Sequence, residues 1–211
     1  VPIAAPSANR FMRTSATTAA HVLEDLDGRI DLVLDGGPAD AGIESTVISV
    51  ERETVFILRA GAITAEEIAT ALPAGVTIGS PVTGSAATAP GMLERHYAPR
   101  KSLTLVRASS SLGRAALVRE LSTAIDAGQT PGVLLLDEDE VSLSGLAPLI
   151  RGHLGPESDL GRVASRLYAA MRDLDRSQAT ELFARSVPPG GLGAAINDRL
   201  TRAAARIIGP E

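Results

Sequence analysis

Hydrophobic and polar positions along this chain switch between two periods. In residues 14 to 27, T-S-A-T-T-A-A-H-V-L-E-D-L-D, the residues Val22, Leu23 and Leu26 fall on one helical face. Thr14 or Ser15 suits the N-cap of that helix and Gly28 its stop. The run I-D-L-V-L-D, residues 30 to 35, alternates like a strand and ends at Gly36-Gly37. Residues 46 to 59 hold two β-branched runs around a charged turn at Glu51 to Glu53, which predicts two strands. In T-A-E-E-I-A-T-A-L, Thr64 and Glu67 have capping-box spacing. Strands alternate with helices, so this part reads as α/β.

Both periods vanish from about residue 79. The stretch G-S-P-V-T-G-S-A-A-T is small and polar, as a connector would be. It then runs into A-P-G-M-L-E-R-H-Y-A-P-R, residues 89 to 100, which carries Met92, Leu93 and one of only two tyrosines. Flexibility alone needs none of these. Regular patterning returns with S-L-T-L-V as a strand, a helix over 111 to 127 and the continuous apolar run G-V-L-L-L-D, a buried strand. A long helix over about 158 to 175 follows, then A-T-E-L-F-A-R-S-V as a further strand. After P-P-G-G-L-G the pattern predicts a helix near 194 to 207. The outline β-α-β-α-β-α is a second α/β unit. Boundaries at 1–78, 79–101 and 102–211 follow.

Composition narrows the chemistry. Aromatic residues are 2% of the chain, so the cores must be built from Ala, Val, Leu and Ile. The formal charge is −5 with signs interspersed, which argues against a protein made to grip a nucleic-acid backbone. With no cysteine, disulfides, thiol catalysis and cysteine-ligated metal are excluded. His21, His96 and His153 show no ligand spacing, and no apolar run nears the ~20 residues of a bilayer span. The opening V-P-I-A-A-P-S-A-N-R has no initiator Met and reads as if cut from something longer.

Three clusters in the first part carry candidate chemistry. In A-P-S-A-N, residues 5 to 9, leading to Ser15 at a helix start, hydroxyls and free N–H groups can hold phosphate, or simply form a turn and a cap. In G-I-E-S-T-V, the residues Glu44, Ser45 and Thr46 put a carboxylate and two hydroxyls at one strand mouth, where α/β sheets collect ligands, or make an ordinary polar loop. In L-R-A-G, Arg59 closes a strand and can clamp a carboxylate or phosphate, or be a surface charge. G-G-L-G at 190 to 193 lacks the Lys-Ser/Thr of a P-loop and reads as a structural turn. Arg199, Arg202 and Arg206 share a face of the last predicted helix, by default a solvated one.

Taken in order, P-I-A-A-P-S-A-N, S-A-T-T-A-A-H-V, G-R-I-D-L-V-L-D-G-G, G-I-E-S-T-V-I-S-V, I-L-R-A-G-A-I-T, A-P-G-M-L-E-R-H-Y-A-P-R and G-L-G-A-A-I-N-D-R-L-T-R-A-A closely resemble the long-form YrdC-type family of threonylcarbamoyl-AMP synthases. The resemblance implies the C-terminal part of a YrdC-like twisted α/β domain, a linker crossing its cleft, and a Rossmann-like domain. It implies a cytoplasmic nucleotidyltransferase that joins L-threonine, bicarbonate and ATP, with Mg2+ accompanying the nucleotide and no tightly bound cofactor. The product would pass to a separate complex that modifies tRNA; the net charge disfavours direct tRNA binding. Carried onto matching positions, Ser7 and Ser45 are expected at threonine, and Ala5, Ser15, Arg59 and Tyr97 at ATP. Asn9, Thr46 and His96 stand behind them. Tyr97 is expected to lie over the nucleotide as the anchored end of a lid, or to dock the linker to a domain.

The family's upstream basic motif finds no match here, and residues 10 to 18, R-F-M-R-T-S-A-T-T, replace a Gly-containing run with the bulky Phe11 and Met12. A fragment with an open sheet edge, prone to pair with a second copy, is therefore expected. The alternative to a working synthase is an incomplete piece that only binds nucleotide or a partner.

Overall fold

The structure is a computed structural model that describes residues 5–79, 96–109 and 111–209. In the first unit, α1 spans Ala19–Leu26 and is capped by Thr18, whose hydroxyl accepts from the His21 amide. The helix therefore starts later than its apolar period suggests. Thr14 and Ser15 are buried instead, held by tertiary contacts described below. The expected strand at 30–35 does not form. Leu32 and Leu34 are 75% and 87% exposed, and among the described residues no strand pairs with this run. Alternation makes a strand only where a neighbour can take its backbone hydrogen bonds.

β1 (Val47–Glu51) and β2 (Thr54–Arg59) form the expected antiparallel hairpin. α2 (Ala65–Ala71) follows with its Thr64–Glu67 capping box complete, and β3 (Thr77–Gly79) returns parallel to β2. Most of the expected connector, including Pro90, Gly91, Met92 and Leu93, lies outside the described residues.

In the second unit, β4 (Leu103–Val106), α3 (Ser111–Asp126), β5 (Gly132–Leu136), α4 (Glu140–Leu143), β6 (Ile150–Gly155), α5 (Leu160–Arg176), β7 (Leu182–Arg185), α6 (Leu192–Ala203) and β8 (Arg206–Ile208) follow in order. The strands make a parallel sheet in the order β6-β5-β7-β4-β8. The short α4 and the strands β6 and β8 lack a clear pattern, and β6 is interrupted by Gly152 and ends at Gly155. The last helix stops at Ala203 rather than 207, because the chain must turn to pair β8 with β4.

Period-two alternation sorts the strand residues between two cores. Leu103, Leu105, Leu134, Leu136, Leu182 and Ala184 face α5 and α6. Val106, Val133, Leu135 and Phe183 face α3. The first of these cores continues out of the second unit. It takes in Ile43 and Tyr97, with Ala60 and Ala62 packed against it. The seam between units is thus part of a core, and the candidate site lies on it.

Candidate functional site

Gly42 brings the site's central loop onto α5. Its φ is +66°, and a Cβ there would lie 2.3 Å from the Ser165 Cα, so only glycine permits the approach. Held against the helix, the loop sends Glu44 into the seam. The carboxylate accepts hydrogen bonds from Ser15 Oγ at 2.5 Å, Tyr168 Oη at 3.0 Å and Arg199 Nε at 2.8 Å. Arg199 also donates through Nη2 to the Ala60 carbonyl at 2.9 Å and through Nη1 to Asp198 at 2.6 Å. Its guanidinium is fully buried, 5.0 Å from the centre of the Tyr97 ring, within cation–π range.

The charges in this cluster set one another. Burial pushes the Glu44 carboxyl up, but the Arg199 guanidinium and the Ser15 hydrogen bond outweigh it and hold the group below its usual value. Burial, with the Glu44 charge beside it, drives the Tyr168 phenol well above its usual value, so its hydroxyl stays a donor. Burial opposes the charge on Arg199, yet Tyr168 and Glu44 raise it overall. Burial lowers His96, which leaves that ring neutral at pH 7.

Ser45 and Arg59 stand at the outer edge of the cluster. Ser45 is exposed, and the Arg59 fork closes on its carbonyl, from Nη2 at 2.9 Å and Nε at 3.2 Å, with Oγ 3.4 Å from Nη2. Thr46 is committed to the neighbouring turn: its hydroxyl donates to the Ile63 carbonyl and accepts from the Ile63 amide. Gly61 makes that turn possible, since a Cβ on it would fall 2.3 Å from the Ser45 carbonyl carbon. The Ala62 amide closes the loop onto Glu44 O at 3.1 Å.

The end of the connector is zipped into the same seam. The Thr14 hydroxyl donates to Tyr97 O, the Ala98 amide to Met12 O, and the Arg13 guanidinium to Pro99 O. Tyr97 adopts φ 62°, a left-handed backbone costing ~1–3 kcal/mol in a bulky residue. Packing overrules that cost. The ring is 1% exposed, stacks on Tyr168 with centroids 5.8 Å apart and meets the His96 ring edge-on at 4.1 Å. Its hydroxyl has no hydrogen-bond partner among the described residues.

Ala5 and Ser7 are exposed on the opening segment. The Asn9 side-chain amide donates to the carbonyls of Arg10 and Arg13 and so fixes the local turn. Ser15 is not a helix cap; its hydroxyl is spent on Glu44, and its carbonyl accepts from Arg172. A second buried tie lies beside it, where Arg172 pairs with Asp25 at 2.5 Å and bonds the Thr14 carbonyl. G-G-L-G turns at Gly190-Gly191 into the start of α6, where a Cβ on Gly193 would meet Pro188 O at 1.7 Å. The cavity beside Gly191 is about 90 Å3, well below the ~300 Å3 of ordinary ligand pockets.

The expected solvated arginine face is overturned. Arg199 is buried, and Arg206 lies in β8, where it pairs with Glu120. The signal was present in the spacing: Ile196, Arg199, Leu200 and Ala203 follow i, i+3, i+4, i+7, which puts the arginine on the apolar face. Tyr168 and Arg172 likewise occupy the buried face of α5. Glu44 was marked at the strand mouth, but sequence gives no hint of partners on α5 and α6.

Residues 63–205 match the family model described as threonylcarbamoyl-AMP synthase, C-terminal domain. The chain belongs to that family. Residues 1–61 match a second model, described as telomere recombination. The join between the two matches falls on the seam, with Glu44 and Arg59 on one side and Tyr168 and Arg199 on the other. A Bacillus subtilis threonylcarbamoyl-AMP synthase is 38% identical over 205 residues, covering 97% of this chain and 57% of its own length. Among solved structures, Pyrococcus abyssi Sua5 complexed with L-threonine superposes with a TM-score of 0.79 at 31% identity. The match covers 98% of this chain and 59% of that one. A variant of the same protein with alanines in place of a consecutive His and Tyr gives 0.77 at 31%, covering 96% and 57%. The chain therefore spans somewhat over half the length of these family members.

Proposed function

We propose that this chain carries part of the site of an L-threonylcarbamoyl-AMP synthase, with residues 1–78 holding the ligands, 79–101 crossing them and 102–211 packed behind. The observation that carries the reading is the Arg59 guanidinium closing on an exposed Ser45 at the mouth of β1 and β2. A hydroxyl beside a fixed cation suits an amino acid next to a polyphosphate. Ser45 and Ser7 take L-threonine; Ala5, Ser15, Arg59 and Tyr97 lie at ATP, Ser15 and Tyr97 as the buried wall behind it. Asn9, Thr46 and His96 support them. His96-Tyr97 is the one His-Tyr pair in this sequence, in keeping with the pair replaced in the Pyrococcus variant.

In the reaction, the threonine nitrogen and bicarbonate form a carbamate with loss of water. A carbamate oxygen then attacks the α-phosphorus of ATP, and the bond to pyrophosphate breaks. Positioning and offsetting of phosphate charge supply the catalysis, with no covalent nucleophile on the protein. Among the described residues no group of three or more His, Cys, Asp or Glu is arranged to hold a metal ion. A Mg2+ would enter on the phosphates, and no step here runs through it. The product leaves for a separate transferase acting on tRNA in the cytoplasm. A second copy of the chain pairs along the β1 edge, where Val50 is 63% exposed.

The test is pyrophosphate release from ATP by this chain, with and without L-threonine and bicarbonate. Release that needs both is the expected result. None from a folded sample overturns the catalytic reading and leaves a piece that only binds.

A further inference from the structure

Resting on that site reading, the geometry points to Arg199, supplied by the Rossmann-like unit, as a positioning residue that sets how Ser45 and Arg59 stand relative to one another. The guanidinium is tied to the residues beside them. Nε donates to Glu44, directly before Ser45, and Nη2 donates to the carbonyl of Ala60, directly after Arg59. One planar group thus spans both ligand-bearing loops, and its rigid fork fixes the distance between them.

Everything around Arg199 holds that fork in place. Asp198 takes its third nitrogen, the Tyr97 ring covers its face, and Tyr168 grips Glu44 from the next helix. Because Arg199 is fully buried, no bulk water can stand in for a loop that moves away, so displacement of either loop is opposed. Two further bonds, Ala62 N to Glu44 O and Arg59 to Ser45 O, and the β1–β2 register that sets Val47 opposite Arg59, hold the same loops from the strand side, so Arg199 adds the tie from the helical side. Lysine would keep the charge but lose the fork, since one ammonium cannot meet both acceptors in the same geometry.

The experiment compares Arg199→Lys with the parent chain by hydrogen exchange and by calorimetric titration of L-threonine. Leu121→Ala, in the core under α3 on the other face of the sheet, serves as a control that weakens the same unit without touching the fork. Arg199→Lys should speed exchange about tenfold or more at amides 44–47 and 60–62, leave β5 and β7 protected, and weaken L-threonine on the order of tenfold, a misplacement effect. Leu121→Ala should lower the unfolding midpoint and leave loop exchange and affinity alone. Parental exchange in both loops of Arg199→Lys overturns the proposal, and so does unchanged threonine affinity despite faster exchange. Equal losses in the control at matched stability reduce Arg199 to a structural residue and also overturn it. If the parent chain binds no threonine, the site reading fails while the exchange comparison still decides the tie. Should Arg199→Lys not fold, Glu44→Gln, which keeps shape and an acceptor, must give the same loop signature.

Discussion

Replacing Arg172 by methionine tests the second tie between the units. The guanidinium is 7% exposed and its partner Asp25 5%, with 2.5 Å between them. It also donates to the carbonyls of Thr14 at 2.7 Å and Ser15 at 3.2 Å, and to Glu24 at 3.3 Å. Methionine fills much of the same space, so the loss is electrostatic rather than a cavity. Removing one partner of a buried pair costs ~3–5 kcal/mol, because the other charge is left uncompensated. Orphaned carbonyls push toward the upper end of that range at ~1 kcal/mol or more each. An opening penalty near ~4 kcal/mol corresponds to a roughly thousandfold larger opening constant. The readout is hydrogen exchange at the amides of α1, whose contact with α5 is being cut. The double variant Arg172→Met/Asp25→Leu removes the stranded charge and should recover ~2 kcal/mol. A single-variant loss under ~1 kcal/mol, or a double variant no better than the single, would refute this reasoning.

Gly42→Ala should drive the Glu44 loop off α5, because the new Cβ would sit 2.3 Å from backbone at a left-handed φ; normal exchange at residues 43–46 would contradict that. The folded-state value of Glu44 is depressed, so its contribution is complete above the usual carboxylate value of 4.5 and is lost as pH falls through the lower folded one. Glu44→Gln should therefore flatten the acid side of the stability–pH curve, and a curve parallel to the parent would count against the seam. Val50→Lys, on the open edge of β1, should abolish concentration-dependent dimers seen by sedimentation; a parent chain monomeric at high concentration refutes the pairing itself.

Much of the fold is written locally. The Thr64–Glu67 box needs four residues to announce a helix start, and it forms. The pattern Leu103, Thr104, Leu105, Val106 and the continuous apolar run after Gly132 assign strands, and packing then divides their residues between two faces. Ser45, Thr46 and Arg59 could be gathered as candidates because strand ends are marked by short motifs. The same local reasoning fails at 30–35, where alternation is present and a pairing strand is not among the described residues. It fails again at Ser15, a plausible cap that spends its hydroxyl on Glu44.

Periodicity, capping and turn chemistry act over a few residues, and so the α/β class and most of the elements were present in the linear pattern, while α4, β6 and β8 were not. The seam was not. Glu44 meets Tyr168 and Arg199 across 124 and 155 residues, and Tyr97 reaches a strained backbone only because both units close around it. An arginine on an apolar helix face announces that a buried partner must exist, since an unpaired buried charge is too costly. Which carboxylate answers it is settled only when the two units pack.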